Sequence, residues 1–445
     1  MILLSGLFWC TTQAQQTVTP STALEAYLNN GDPTWAWEVR DSYPVARTQA
    51  YSLLLISQKW QGILWKHELI VFVPEKITHD GALLFITGSS MDDGGNPKIA
   101  KRDDATSQAM ATMAADNRAV VALLRQVPNQ PLYGGLTEDA LISYTLNEFR
   151  KDRDYSWPLL FPMVKSARRA MDAVQAFAEE KADARIKRFV VTGISKRGWT
   201  TWLTGASQDA RVAAIAPMVI DMLNMPATLE YQKELYGVYS EEIQDYVKLE
   251  IPQAIASEFG NAVVQMIDPY AYRTKLTLPK MIFMATNDPY WTIDAVKHYI
   301  DDIPGPNYLC YVPNAGHGLG DKKQAFGALN AFFGMTLAGQ PYPVCEYALT
   351  EKGKKITLHV KTSADRLARA VLWTATSTGR DFRASQWTGK NLVLKNRERV
   401  QVTVEYPKKD FSAFYVELIY RDSRGSEYSI TTRPYVASTK QVFLK

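Results

Sequence analysis

Ser195 lies in the stretch Val190-Val-Thr-Gly-Ile-Ser-Lys-Arg-Gly-Trp-Thr-Thr-Trp202, where a short apolar run meets Gly193, a single serine and a helix-compatible segment. A serine on a sharp strand-to-helix turn projects its hydroxyl above a sheet. The next backbone N–H then faces the oxyanion that forms when the serine attacks a carbonyl. Gly193 supplies the first half of a GxSxG pattern, but Arg197 stands where the second glycine is usual and Gly198 follows one residue later. The helix is therefore expected to leave the turn at a different angle. Such a nucleophile needs a base to take its proton and an acid to orient that base. Of the five histidines, His67 and His79 flank an early strand, His298 falls in a helix-like segment and His359 in a C-terminal strand. His317 alone follows an apolar run in a loop, Pro313-Asn-Ala-Gly-His-Gly-Leu-Gly320, whose glycines leave room for a mobile imidazole. The expected acid is Asp288, in Ala285-Thr-Asn-Asp-Pro-Tyr-Trp291, with Asp221 as the alternative and Asp294 as a weaker third. An aspartate at a strand-to-helix junction is equally a helix cap, so position alone does not assign it.

The order Ser195, Asp288, His317 is that of α/β-hydrolases, with each residue just past the carboxyl end of a predicted strand. Oxyanion donors are expected from the Lys196 N–H and from Gly88 or Ser89 in the loop Thr87-Gly-Ser-Ser-Met91. Arg197, Trp199, Tyr290 and Trp291 surround the serine or the acid in sequence and are candidates for a substrate pocket. Lys196 and Arg197 could meet a substrate carboxylate, or Arg197 could be tied up in an ion pair with an acidic residue of a cap.

The elements that would position these residues follow from hydropathy patterning. Apolar runs without alternation at 82–86, 118–124, 188–191, 212–216, 280–285 and 308–312 read as strands buried on both faces. Runs at 51–57 and 68–73 read as an antiparallel entry to the same sheet. Between them, residues 162–180 place Val164, Ala167, Met171, Val174 and Phe177 on one helical face. Strands alternating with helices over some 200 residues predict an α/β core with a mostly parallel sheet. The strand pattern lapses between 221 and 279, giving a candidate helical cap. From 341 to 445 the period becomes two, as in Ile356, Leu358 and Val360 and again in Val400, Val402 and Val404. That pattern predicts a β-sandwich of immunoglobulin-like type, with contact to a cell surface as one use for it. The hydrolase-like part would then span 15–340.

The chain has 445 residues, and its formal charge of +4 comes from 50 basic and 46 acidic side chains without a long basic run. Nothing in that balance favours nucleic acid. No HExxH, paired-cysteine, EF-hand, Walker A or dinucleotide signature occurs, so neither metal nor cofactor is expected. The apolar run Ile2-Leu-Leu-Ser-Gly-Leu-Phe-Trp9 is too short to span a bilayer and, with Ala14 following, reads as a signal peptide over 1–14. A periplasmic or secreted location follows from that reading. Cys310 and Cys345 could then form a bridge or remain free thiols.

Longer strings are more specific than the serine pentapeptide. Gln126-Val-Pro-Asn-Gln-Pro-Leu132, Leu136-Thr-Glu-Asp-Ala-Leu141, Trp157-Pro-Leu-Leu-Phe-Pro-Met-Val-Lys-Ser-Ala167, the stretch from Thr192 to Leu203 and Asp268-Pro-Tyr-Ala-Tyr-Arg273 together resemble the PhoPQ-activated pathogenicity-related protein family, which includes proteins of the autocrine proliferation repressor type. The resemblance runs from about Trp35 into the C-terminal part. It implies an exported member of the α/β-hydrolase clan and makes Arg197 a family trait, since that family's elbow reads Ser-Lys-Arg-Gly. A cation beside the serine is also similar to glucuronoyl esterases, an analogy only. Two functions are expected to compete: a serine hydrolase acting on a small ester, a peptide or a sugar ester, and a secreted binding or signalling protein that keeps the fold without turnover.

Overall fold

The computed structural model describes residues 17–445. The expected leader at 1–14 lies outside the described residues. Nine strands build the first part of the chain: β1 (Ala36–Val45), β2 (Thr48–Trp60), β3 (Ile63–Pro74), β4 (Gly81–Ile86), β5 (Val120–Leu124), β6 (Arg188–Ile194), β7 (Val212–Met218), β8 (Lys280–Ala285) and β9 (Asn307–Val312). They lie side by side in the order β1-β2-β3-β5-β4-β6-β7-β8-β9. β1 to β3 form an antiparallel meander joined antiparallel to β5, and from β5 to β9 every pairing is parallel. This is the mixed sheet of an α/β-hydrolase-like fold, with the elbow after a central strand. Every residue of β4, β5 and β8 is buried. Helices cover both faces, and a strand with no wet side has no reason to alternate.

The long helix Leu160–Lys181 buries Val164, Ala167, Met171, Val174 and Phe177 completely, the face expected from their spacing. Between β7 and β8 an insertion carries the helices Met225–Tyr236, Gln244–Val247 and Glu258–Ile267. Within it, residues 248–257 form turns rather than a helix.

Eight further strands follow: β10 (Cys345–Lys352), β11 (Lys355–Thr362), β12 (Leu367–Ser377), β13 (Thr388–Asn391), β14 (Arg399–Glu405), β15 (Phe411–Arg421), β16 (Glu427–Thr431) and β17 (Tyr435–Ala437). β10, β11 and β14 form a separate antiparallel sheet. Its alternation places Ile356, Leu358, Val360, Val400 and Val402 inward. β12, β13, β15 and β16 instead continue the central sheet, because β16 pairs with β9 through Thr431 and Leu309. Trp387 and Tyr415 pack into the same core as Tyr311 of β9. The expected strands are present, but they are built onto the edge of the α/β sheet and share its core. Cys310 and Cys345 are free thiols. Among the described residues no helix is long and apolar enough to cross a membrane.

Candidate active site

Ser195 directly follows β6 with φ 61° and ψ −125° and caps the helix Lys196–Ala206. A side-chain-bearing residue enters that region only where its surroundings force it. Here the forcing is local. The Ser195 N–H donates to Met218 O of β7 at 2.9 Å, and its carbonyl accepts the Trp199 N–H at 3.0 Å to start the helix. Gly198 lets the helix press on β7, since a Cβ there would lie 2.6 Å from Met218 O. The glycine requirement has thus moved one position along, and position 197 is left free to carry a side chain.

His317 and Asp288 converge on the serine. His317 Nε2 lies 2.8 Å from Ser195 Oγ, and Nδ1 lies 2.8 Å from Asp288 Oδ2 and 3.0 Å from Oδ1. Asp288 also accepts the Tyr290 N–H at 2.9 Å, and the Tyr290 ring stacks on the imidazole at 4.2 Å between centroids. The other expected acids lie elsewhere. Asp221 accepts from the Tyr299 hydroxyl at 2.7 Å, and Asp294 is bound to Lys297 and Tyr231. Burial pushes the Asp221 carboxyl up; the Tyr299 hydrogen bond pulls it back, and the charges of Asp288 and Asp294 raise it again, to about 8. At neutral pH it is largely protonated and is a poor partner for an imidazolium.

The loops that carry the histidine and the acid are tied down from two sides. Asn287 donates to the carbonyls of Arg383 and Ser385, and Asn314 exchanges two hydrogen bonds with the Trp387 backbone at 2.9 and 2.7 Å. From the insertion, Ser240, Gln232 and Tyr236 donate in turn to the carbonyls of Pro289, Tyr290 and Trp291.

The two cations after the serine are both paired. Arg197, expected either at the substrate pocket or in an ion pair with the cap, is in an ion pair and does not line the cavity at Ser195. Its Nε donates to Val127 O, and its two terminal nitrogens each lie 2.7 Å from a Glu138 oxygen. The partner belongs to the helix Glu138–Asp152, not to the insertion. The guanidinium lies flat against Gly88, where a Cβ would come within 2.7 Å of Arg197 Cζ. Burial pushes the Glu138 carboxyl up, but the hydrogen bonds and charge of Arg197, with Gln130 and Lys196, outweigh it and hold the group at about 2. Lys196 Nζ lies 2.7 Å from Asp139 Oδ2, and the Tyr246 hydroxyl lies 3.0 Å from Asp139 Oδ1. The loop with Gly88 and Ser89 follows β4, the strand beside β6. Its backbone N–H groups at 88 and 89 have no acceptor among the described residues. The Lys196 N–H lies in the first turn of its helix, where no intrahelical acceptor exists.

Trp199, Tyr290 and Trp291 line, together with Ser195, a cavity of about 60 Å³. The sequence reading missed Asp139, Tyr246, Asn287 and Asn314. For Asp139 a signal existed, because it sits in the Leu136-to-Leu141 string that carries the family resemblance. Among the described residues no group of His, Cys, Asp and Glu is placed to hold a metal ion.

The chain is 27% identical to autocrine proliferation repressor protein A of Dictyostelium discoideum, over 94% of this chain and 90% of that one. Among solved structures it is similar to acetyl xylan esterase 1 from Thermoanaerobacterium sp. JW/SL YS485, with a TM-score of 0.45, 15% identity and 69% and 92% of the two chains covered. The acetyl xylan esterase from Paenibacillus sp. R4 gives a TM-score of 0.43 at 12% identity, with 67% and 87% covered. The model of one family, described as PhoPQ-activated pathogenicity-related protein, matches residues 24–383. The chain belongs to that family.

Proposed function

We propose that the protein is a serine hydrolase that cleaves an ester or amide through an acyl-enzyme. The observation that carries this reading is the unbroken hydrogen-bonded chain Ser195 to His317 to Asp288, with the serine on a turn whose backbone lies outside the ordinary regions. Ser195 Oγ attacks the carbonyl carbon as its proton passes to His317 Nε2, and Asp288 holds Nδ1–H and stabilises the imidazolium. The oxyanion is met by the N–H groups of Lys196 and of Gly88 or Ser89. Collapse breaks the bond to the leaving group, which takes the proton from His317. Water then gives its proton to the same nitrogen and attacks the acyl carbon; collapse breaks the bond to Ser195 Oγ, which takes that proton back from His317 as the acid product leaves.

The reading is tested by single-turnover mixing with an activated ester and intact-mass analysis. The acyl adduct is expected on the native chain and absent from Ser195→Ala. If Ser195→Ala, His317→Ala and Asp288→Asn all leave hydrolysis untouched, the assignment is wrong. The proposal includes export, on the strength of the apolar run at 2–9, and N-terminal sequencing of the protein made in cells checks it. The name of the Dictyostelium relative favours a second reading, a signal that acts without turnover. A biological response that survives Ser195→Ala would support it.

A further inference from the structure

We propose that Ser195 acts on a neutral substrate whose acyl group is an apolar chain, seated between the elbow helix and the insertion that follows β7. The proposal rests on the serine-hydrolase reading above and adds the substrate class. The cavity at Ser195 is lined by Trp199 of the elbow helix, by Met222, Leu229, Ile251 and Ile255 of the insertion and by Trp291. Its charged groups are Lys196 and Asp139, and they satisfy each other at 2.7 Å while the Tyr246 hydroxyl occupies the other Asp139 oxygen. Arg197, which could have received a substrate carboxylate, is turned away and held by Glu138 through both terminal nitrogens.

An acyl group bearing a carboxylate or an ammonium would therefore enter an apolar slot and find each opposite charge already paired. Burying a charge without a partner opposes binding strongly. A methylene entering the same slot improves binding by up to about fourfold. The walls thus select by what they lack as much as by what they offer, and the insertion is the part that supplies the chain-binding wall.

The test uses the native full chain, with active serines first counted by fluorophosphonate labelling. Values of kcat/KM are then compared for p-nitrophenyl acetate, p-nitrophenyl pentanoate and mono-p-nitrophenyl glutarate, the last two matched in length but differing in a terminal carboxylate. Pentanoate is expected to exceed acetate by at least about tenfold, since three added methylenes set an upper limit near sixtyfold, and to exceed glutarate by about tenfold or more. Leu229→Lys and Ile255→Lys replace half-buried wall residues that can carry a charged tip outward. Each is expected to narrow the gap between pentanoate and glutarate. Equal or faster turnover of glutarate, a flat response from acetate to pentanoate, or folded lysine variants with unchanged discrimination would each overturn the substrate assignment alone. A folded protein that neither labels nor hydrolyses any of the three esters would overturn the hydrolase reading, and the substrate assignment with it.

Discussion

Ser195 is fixed by Gly198, three residues away, and by the strand beside it, whereas His317 and Asp288 sit on loops fixed by side chains and carbonyls 49 to 98 positions distant in the chain. The elbow is a local device: a turn with φ 61° and a glycine where the helix touches β7. The partner loops are tied down by two other parts of the fold. The insertion holds the carbonyls of Pro289, Tyr290 and Trp291, and the segment before β13 holds Asn287 and Asn314. The proposed nucleophile can thus be built from a short stretch of chain, while the placing of its partners depends on regions remote in sequence. The segment 383–387 of the C-terminal part thus holds the loops that carry Asp288 and His317.

The largest expected effect is on the chemistry itself. Ser195→Ala or His317→Ala should lower kcat by about 10⁴-fold or more, the size seen when members of such a unit are removed; steady-state hydrolysis of an activated ester measures it. Next comes the local device. Gly198→Ala places a Cβ against Met218 O, so the elbow must shift. A loss of about 2 kcal/mol in stability is expected with it, together with a drop of about 10²-fold in kcat, because a displacement of about 1 Å is enough for that. Thermal melting and fluorophosphonate labelling rate read the two separately.

The distant device should give smaller, separable effects. Asn314→Ala removes both hydrogen bonds to the Trp387 backbone and is expected to lower kcat about tenfold with KM little changed, at a stability cost of about 1–2 kcal/mol. If Asn314→Ala and Asn287→Ala both leave kcat intact, the C-terminal segment does not position the loops and the comparison fails.

Glu138→Gln sharpens the contrast from the other side, because the Arg197 pair supports the Gly88 loop and not the histidine. About a third of the Glu138 side chain is exposed, so a loss of about 2 kcal/mol is expected, below that of a fully buried pair. The native carboxyl is held at about 2. The pair therefore stabilises fully above the usual glutamate value and loses its effect as pH falls towards 2. The difference in denaturation midpoint between native chain and variant should accordingly shrink between about pH 4.5 and pH 2.

The smallest effect on turnover concerns Asp221, whose folded value is about 8. The unfolded chain releases this proton at much lower pH, so the native chain loses stability as pH rises from about 4 to 8. Asp221→Asn should flatten that fall while leaving ester hydrolysis near its native rate, which also separates Asp221 from Asp288 as the acid.

The distinction between local and distant constraint explains what could be read in advance. β4, β5 and β8 announce themselves as unbroken apolar runs because both their faces are covered. The elbow is legible because the residues that force it lie next to it. β1 escaped notice because it is an edge strand with few buried side chains and so carries little alternation. The joining of β16 to β9 rests on a single residue pair, which no local pattern encodes. Asn287 and Asn314 read as ordinary loop residues, since their partners enter only after folding has brought residues 383–387 alongside. Arg197 was visible as a cation by the serine, but its direction was set by Glu138, and that contact depends on how the helix Glu138–Asp152 docks.

The most direct test of the account is the rate of fluorophosphonate labelling of the native chain beside Ser195→Ala and His317→Ala, each first shown to be folded by its melting curve. The account predicts one label per native chain, located at Ser195 by peptide mapping, none on Ser195→Ala and labelling slowed by about 10²-fold or more on His317→Ala. A folded native chain that takes no label, or one that labels equally fast without His317, would contradict it.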